Sequence, residues 1–423
     1  MKTIPPHESP NPQRRRLLAA GGGALLALNS CALPSATDDS VEGRVARWAQ
    51  TYDGFGNHRT ATPGETASTG WLADEARKAG ADVTLEAFEL SRVDPRACYA
   101  TIAGRRIEGV PLYDAGFTND HGVAGRLGPL GSDAEIGVVE SHHSGLVPAP
   151  GQTYRSVLPD IRRSRHKAVI LVARGSVPGL FVLNAGLFQN PSGPPTLQVS
   201  SSDGPWLFEQ AKRGTDATLL LTADRTPAKA ANVVGLIRGT SADMAPMVVS
   251  TPCSAWWRCV AERGGGIACW METVRALASA KPKRSCHIVA FSGHELGWLG
   301  GQDYLRRRPE IVREAHLWLH FGANIGAPGK PNQLSALDDA LESWGANVME
   351  RGGIAVDRRT PRGSTPYGEA TLVHRRGGRY VSLVCDNDYF HHPDDRWPHA
   401  IDVPTLARYA RAFASGAVLM AEA

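Results

Sequence analysis

The spacing of apolar residues near the start of the chain predicts two helices followed by a strand. Residues 41–51 and 68–79 place apolar side chains at helical spacing. The second segment ends at Gly80, and glycine commonly terminates a helix. Residues 83–88 alternate between apolar and polar positions, which is typical of a strand.

The pattern changes between about residue 95 and residue 224. Short apolar runs of β type are separated there by loops rich in glycine and proline. The runs occupy residues 136–139, 168–172, 197–199 and 217–221. This stretch predicts a separate, mostly β insert.

From residue 232 onward, strand patterns alternate with helix patterns. Strands are predicted at residues 233–236, 247–250, 287–291 and 317–321, and helices at residues 266–280 and 300–306. Strands that alternate with crossover helices indicate an α/β fold whose mainly parallel sheet is covered on both faces.

The composition is that of a folded protein without a nucleic-acid-binding surface. The chain has 423 residues, of which 42% are apolar and 21% charged, and this excludes a disordered, collagenous or coiled-coil protein. The length allows two or three globular units. The 46 Lys and Arg residues are nearly balanced by 42 Asp and Glu residues, so no nucleic-acid partner is expected.

The first 31 residues predict an export signal. Three arginines at 14–16 precede a mildly apolar, glycine-containing run at 17–28. This run is too short to span about 30 Å of hydrocarbon as a helix, so no transmembrane span is expected. The arginines resemble a twin-arginine signal, and residues 28–31 resemble a lipoprotein cleavage box that ends at Cys31. We expect a protein of the periplasm or outer cell envelope, and leave lipid attachment at Cys31 open.

Six cysteines remain beyond Cys31. Their even number is compatible with disulfides in an oxidising compartment, although the sequence does not choose among the pairings. Buried free thiols are the alternative. No Cys-x-x-Cys pair occurs, so a zinc site built from thiolates is not expected.

Polar side chains follow the predicted strands where ligands bind in such a sheet. Ligands of α/β folds lie outside the carboxyl ends of the strands. Glu262, Glu295 and His391 each follow a strand in the second half of the chain. Each residue alone is compatible with a solvated loop, but two carboxylates and an imidazole together are ligands that zinc accepts at about 2 Å.

The order of several motifs resembles a known family. The segments are residues 58–64, DVTLEAFEL at 82–90, NVVGLIRGT at 232–240, ERGGGIACWMETVRALA at 262–278, KPKRSCHIVAFSGHELGWLGGQDYL at 281–305 and YFHHPDD at 389–395. Together they resemble the zinc-dependent aminopeptidase and carboxypeptidase family M-twenty-eight, of which glutaminyl cyclases are relatives. The resemblance implies a three-layer α/β sandwich with a mixed, mainly parallel central sheet, plus an insert similar to a protease-associated domain.

On this resemblance the chain divides into five parts. They are an export signal (1–31), a linker (32–40), the N-terminal part of a peptidase-like domain (41–94), the mostly β insert (95–228) and the catalytic domain (229–423).

The resemblance implies one metal site where many members have two. Glu262 stands at the place of the bridging carboxylate, Glu295 at that of the metal-binding glutamate and His391 at that of the final histidine. These three would hold one zinc ion. Residues 252–254 and 322–323 stand where ligands of the other metal are expected, and they lack the required His and Asp.

Two further roles follow from the resemblance. His294 replaces the glutamate that serves as general base, and an imidazole with a pKa near about 6.5 is able to take that role. Asp395 is interpreted as the carboxylate that orients His391.

Three hypotheses about function remain open. The first is an exported single-zinc hydrolase of the aminopeptidase type that acts on peptide or amide bonds. The second is a catalytically inactive homologue that binds peptides or envelope partners. The third is a cyclotransferase similar to glutaminyl cyclases, argued from ligand number alone. Metal analysis separates the second hypothesis from the other two.

Overall fold

The computed structural model describes residues 39–142 and 157–423. The predicted export signal at 1–31, the lipid site at Cys31 and most of the linker lie outside the described residues. Within the described ranges, no helix is both long and apolar enough to cross a membrane.

The two helices predicted near the start of the chain are confirmed. The helices of the described ranges are Val41–Gly54 (α1), Pro63–Lys78 (α2), Leu158–Arg163 (α3), Gly204–Arg213 (α4), Gly265–Ala280 (α5), Leu299–Arg307 (α6), Ile311–Glu314 (α7), Asp339–Arg351 (α8), Ala370–His374 (α9) and Val403–Glu422 (α10). The side chain of Ser40 caps α1 by accepting a hydrogen bond from the N–H of Gly43 at 3.0 Å.

The 13 strands of the described ranges join in one hydrogen-bonded sheet. They are Asp82–Ile102 (β1), Arg105–Pro111 (β2), Val123–Pro129 (β3), Ile136–His142 (β4), Ala168–Arg174 (β5), Thr196–Ser200 (β6), Asp216–Ile237 (β7), Met247–Pro252 (β8), Cys286–Phe291 (β9), Leu317–Phe321 (β10), Asn332–Ala336 (β11), Arg358–Arg359 (β12) and Tyr380–Cys385 (β13). Their order across the sheet is β1-β2-β6-β5-β4-β3-β7-β9-β8-β10-β13-β11-β12.

The second half of the chain forms the part of the sheet that carries the polar strand ends. Strands β9, β8, β10 and β13 are parallel to their neighbours in this group, while β7 and β11 flank them as antiparallel strands. The predicted strand at 317–321 has the bounds of β10. The prediction of a mixed, mainly parallel central sheet is confirmed.

Helices cover this sheet on both faces, as predicted. Successive residues of β8 alternate between the two faces of the sheet. Val249 belongs to the apolar core that includes residues of α1, α2, α5, α8 and α10, and Val248 belongs to the core that includes residues of α6, α7 and α9. The insert has an apolar core of its own, in which β4, β5 and β6 pack against α4. The mostly β character of the insert is confirmed, and its likeness to a protease-associated domain stays a prediction.

The long pair β1 and β7 connects the insert to the rest of the fold. The two strands pair antiparallel from Asp82 opposite Leu236 to Ile102 opposite Ala217, with an irregularity between Pro95 and Ala97. The sequence predicted only the first part of β1, because Pro95 interrupts the alternation farther along.

The six cysteines of the described ranges are free thiols, so disulfides are absent among them and the alternative of free thiols holds. Five of the six are buried, and burial raises their pKa above the usual value, as for Cys286 at about 12.

Candidate active site

A pocket of about 250 Å³ opens at the carboxyl ends of the parallel strands. Its polar lining residues are Asn184, His294, His320, Tyr367, Glu369 and His391, and its apolar walls include Leu183, Trp298, Val384 and Phe390. The strand-end rule therefore located the pocket correctly.

Left-handed backbone conformations cluster in the loops around this pocket. Two residues that line the pocket, Trp298 and His391, have φ of 61° and 63°. Trp257, Cys259 and Asn324, in the loops that follow β8 and β10, have φ between 48° and 68°. Such conformations cost free energy and concentrate at functional sites, where the surrounding structure holds them. The loops that carry the candidate residues are therefore fixed by their environment.

Glu262 lies in one wide turn of π-helix, Val260–Gly264, that leads into α5. The glycines after it allow close packing, because a Cβ at Gly265 would lie 1.8 Å from the carbonyl oxygen of Ile325. Asp395 accepts hydrogen bonds from the N–H groups of Ala261 at 2.8 Å and Glu262 at 2.9 Å. These N–H groups begin a helix and lack partners within it, so the carboxylate satisfies them.

The hydrogen bonds of Asp395 go to another part of the site, and its role in orienting His391 stays a prediction. The loop places the Asp395 carboxylate on the turn of Glu262, whereas Nδ1 of His391 lies 2.8 Å from the carbonyl oxygen of Val182 in the insert. That contact directs Nε2 of His391 towards Glu262, at 3.3 Å from Oε1. The insert thus takes part in building the site.

Glu262 is fully buried and has charged neighbours. Its Oε1 lies 2.7 Å from Nη2 of Arg263, and both side chains are almost completely shielded from solvent. Burial opposes the charge on Glu262, but the guanidinium of Arg263 and the imidazole of His391 outweigh it and lower the pKa of the carboxyl below its usual range. Glu262 is therefore ionised.

Arg263 fills the space beside Glu262, and the sequence did not identify it. Its Nε donates to the carbonyl oxygen of Ser254 at 2.9 Å, and its Nη1 donates to the carbonyl oxygen of Glu262 at 3.0 Å. The guanidinium is held from three directions, so its position is fixed.

Glu295 has neutral partners. Its Oε1 accepts hydrogen bonds from the N–H and the hydroxyl of Thr60, both at 2.6 Å, and its Oε2 accepts one from the hydroxyl of Ser254 at 2.7 Å. Ser254 occupies the place where the resemblance puts the Asp of a His-x-Asp motif. The hydroxyl at this position binds the neighbouring carboxylate.

His294 forms a dyad with a carboxylate that the sequence did not identify. Its Nδ1 lies 2.8 Å from Oε1 of Glu369, the residue just before α9. Burial would raise the pKa of Glu369, but His294 outweighs it and the pKa falls to about 2. Because Glu369 follows a loop rather than a strand, the strand-end rule gave no signal for it.

His320 completes the polar floor of the pocket. Its Nδ1 lies 2.9 Å from the hydroxyl of Ser250, which accepts a hydrogen bond from the indole N–H of Trp318 at 2.6 Å. Its Nε2 lies 3.8 Å from Oε2 of Glu369. Burial lowers the pKa of His320 to about 4, so the ring is neutral at pH 7.

These contacts do not fit a zinc ion held by Glu262, Glu295 and His391. Both carboxylates are already engaged, Glu262 by a guanidinium and Glu295 by three hydrogen bonds. Among the described residues, the ligand atoms that lie within 4.8 Å of one another belong to Cys259, Glu262 and Asp395. Both Asp395 oxygens already accept N–H groups. The three-ligand zinc site stays a prediction. The hydrogen bonds of Glu295 weigh against it, whereas both oxygens of Glu262 are buried without a hydrogen bond from the described residues.

Solved structures with this fold are zinc aminopeptidases and related peptidases. The zinc aminopeptidase of Bacillus subtilis has a TM-score of 0.71 and 18% identity, over 90% of this chain and 94% of that one. A peptidase precursor of family M-twenty-eight from Shewanella amazonensis has a TM-score of 0.71 and 18% identity, over 90% and 96%. The aminopeptidase of an Aneurinibacillus strain has a TM-score of 0.66 and 14% identity, over 90% and 93%.

The chain therefore has the fold of zinc aminopeptidases of family M-twenty-eight. No model of a known sequence family matches the chain, and no curated protein matches it. Likeness at such low identity establishes the fold and not the activity.

Proposed function

We propose that this protein binds a peptide or a peptide-like amide in the pocket at the carboxyl ends of the parallel strands. The observation that carries the proposal is the pocket itself, of about 250 Å³, in which apolar walls surround a few convergent polar groups. Its position at the strand ends is where α/β folds bind ligands.

The polar groups of the pocket suit an amide. An amide offers one N–H donor and one carbonyl acceptor, and both need partners once they leave water. Glu369 is ionised and accepts hydrogen bonds, while the histidines at 294, 320 and 391 offer ring nitrogens. Leu183, Trp298 and Phe390 give apolar surface for a side chain.

Hydrolysis of the bound amide with one zinc ion is the second candidate. It is favoured by the mutual approach of Cys259, Glu262 and Asp395 and by the zinc aminopeptidases of the same fold. In this candidate, His294 held by Glu369 is the base. The cyclotransferase hypothesis rests on ligand number alone, and no contact among the described residues favours it.

Export is part of the proposal. The arginines at 14–16 and the apolar run that follows support it, with Cys31 as a site of lipid attachment. Cell fractionation of the full chain tests export, and Cys31→Ser tests the anchor. Recovery of the wild type in the cytoplasm contradicts the proposal.

Calorimetric titration with a panel of short peptides and amides tests binding, and a parallel assay for released amine tests turnover. We expect binding that Glu369→Gln weakens by at least about tenfold, because the variant removes a charged acceptor from the pocket. Arg351→Ala, on the far end of α8, is the matched control and keeps the wild-type affinity. Absence of binding across the panel, or equal affinity in Glu369→Gln, contradicts the proposal. Amine release that needs zinc favours the second candidate.

A further inference from the structure

We propose that the guanidinium of Arg263 takes the role of the metal ion in this site, so that the chain neutralises its own buried carboxylates and needs no zinc. The inference concerns the charge of the site and goes beyond the binding of a peptide.

The first argument is the position of the guanidinium. Nη2 of Arg263 lies 2.7 Å from Oε1 of Glu262, the residue at the place of the bridging ligand. Nε donates to the backbone of Ser254, which stands at the place of the Asp in the His-x-Asp motif of the resembled family. The side chain of Arg263 is fully shielded from solvent. A positive group therefore lies directly against one of the three predicted metal ligands.

The second argument is the space and charge left for an ion. Zinc binds a carboxylate oxygen at about 2.0–2.2 Å. An ion on Oε1 of Glu262 would thus lie within about 4.9 Å of Nη2 of Arg263, since the oxygen itself is 2.7 Å from that nitrogen. Two fixed positive charges so close inside the protein repel each other strongly.

The third argument is the other half of the site. Glu295 is satisfied by Thr60 and Ser254, so it needs no cation as a partner. A buried charge is tolerated only when paired or fully hydrogen-bonded. Glu295 meets this condition with hydroxyl and N–H groups alone. Glu262 meets it through its ion pair with Arg263, while neither of its oxygens accepts a hydrogen bond from the described residues.

Zinc titration of Arg263→Met tests the inference. Removal of the internal cation leaves Glu262 with an unmatched charge, which an external cation is then able to neutralise. We expect Arg263→Met to bind zinc at least about tenfold more tightly than the wild type, because one like charge has left the surroundings of the ion. Zinc should also raise the melting temperature of the variant and leave that of the wild type unchanged.

The matched control is Arg44→Met. Arg44 forms a two-point pair with Glu272, at 2.9 and 2.7 Å, in the contact of α1 with α5 away from the pocket. We expect its zinc affinity to equal that of the wild type. Equal zinc affinity in Arg263→Met and Arg44→Met overturns the inference.

If Arg263→Met does not fold, zinc binding by the wild type still tests the inference. Tight binding of one zinc ion by the wild type, lost in Glu262→Gln, overturns it without any Arg263 variant. Arg263→Lys retains the charge, so we expect it to bind zinc as weakly as the wild type, and tight binding by this variant also overturns the inference.

Discussion

The two halves of the candidate site neutralise buried carboxylates in different ways. Around Glu295 the partners are neutral, since Thr60 and Ser254 donate three hydrogen bonds to it. Around Glu262 the partners are charged or chargeable, with Arg263 at 2.7 Å and His391 at 3.3 Å. Both residues stand where the resemblance predicts metal ligands. Glu295 accepts hydrogen bonds at both oxygens, whereas Glu262 is compensated by charge and its oxygens accept no hydrogen bond from the described residues.

The pKa values of neighbouring carboxyls follow this difference. Glu65 lies on the neutral side, where the hydroxyls of Ser292 and Thr69 donate to it, and burial raises its pKa to about 7. Glu369 lies on the charged side, where His294 lowers its pKa to about 2 against the effect of burial. Charged partners thus prevail for Glu369, whereas burial prevails for Glu65 and for Asp395, whose pKa rises to about 8.

The largest expected effect is that of Arg263→Met on stability. The variant leaves the carboxylate of Glu262 buried without its cation, which costs about 3–5 kcal/mol of unfolding free energy. Chemical denaturation in the absence of zinc measures it. A loss below about 1 kcal/mol would show that the ion pair with Arg263 is not what mainly stabilises the buried charge of Glu262.

The next effect is the pH dependence that Glu65 contributes. Its pKa is about 7 in the folded state against 4.5 for the ordinary carboxyl, so folding takes up a proton between these values. The stabilisation is complete below pH 4.5 and is lost as the pH rises through 7. We expect the stability difference between wild type and Glu65→Gln to fall by on the order of 3 kcal/mol across this range. Urea denaturation of both proteins at each end of the range measures it, and a constant difference contradicts the assignment.

Thr60→Val tests the neutral side directly. The change keeps the N–H that donates to Glu295 but removes the hydroxyl that donates at 2.6 Å. A hydrogen bond to a charged group contributes about 1.5–3 kcal/mol, so we expect a loss of about 2 kcal/mol. Thr60→Ser keeps the hydroxyl and serves as the control in the same denaturation experiment. Equal losses in both variants would assign the effect to packing.

The smallest effect is expected for Arg44→Met. Glu272 keeps a second partner, Arg275, at 2.6 Å after Arg44 is removed. The charge on the buried Glu272 therefore stays paired, and we expect a loss of about 1 kcal/mol by denaturation. A loss as large as that in Arg263→Met would show that the Arg263–Glu262 pair contributes no more to stability than the Arg44–Glu272 pair.

Much of the fold follows from the sequence, because strand and helix periodicities are local. Strands β8, β9 and β10 and helix α5 lie where the pattern placed them. The sequence pattern did not predict the full length of β1. The second half of this strand pairs with β7, and such pairing depends on contacts between residues that are distant in sequence. The pattern of short apolar runs still identified the insert as mostly β.

The site was only partly predictable. Strand-end positions brought His294 and His391 to the pocket as expected. Arg263 was missed because adjacent residues of a regular helix point about 100° apart, whereas the wide π-turn brings Arg263 onto Glu262. Glu369 was missed because its contact with His294 spans 75 positions of the chain.

The zinc content of the wild-type chain tests the central claim most directly. The protein is purified without chelators from zinc-supplemented medium and measured by mass spectrometry of the metal, alongside Glu262→Gln. Our account predicts far less than one zinc ion per chain in both proteins, because Arg263 already neutralises Glu262. One zinc ion per chain in the wild type, lost in Glu262→Gln, would contradict it.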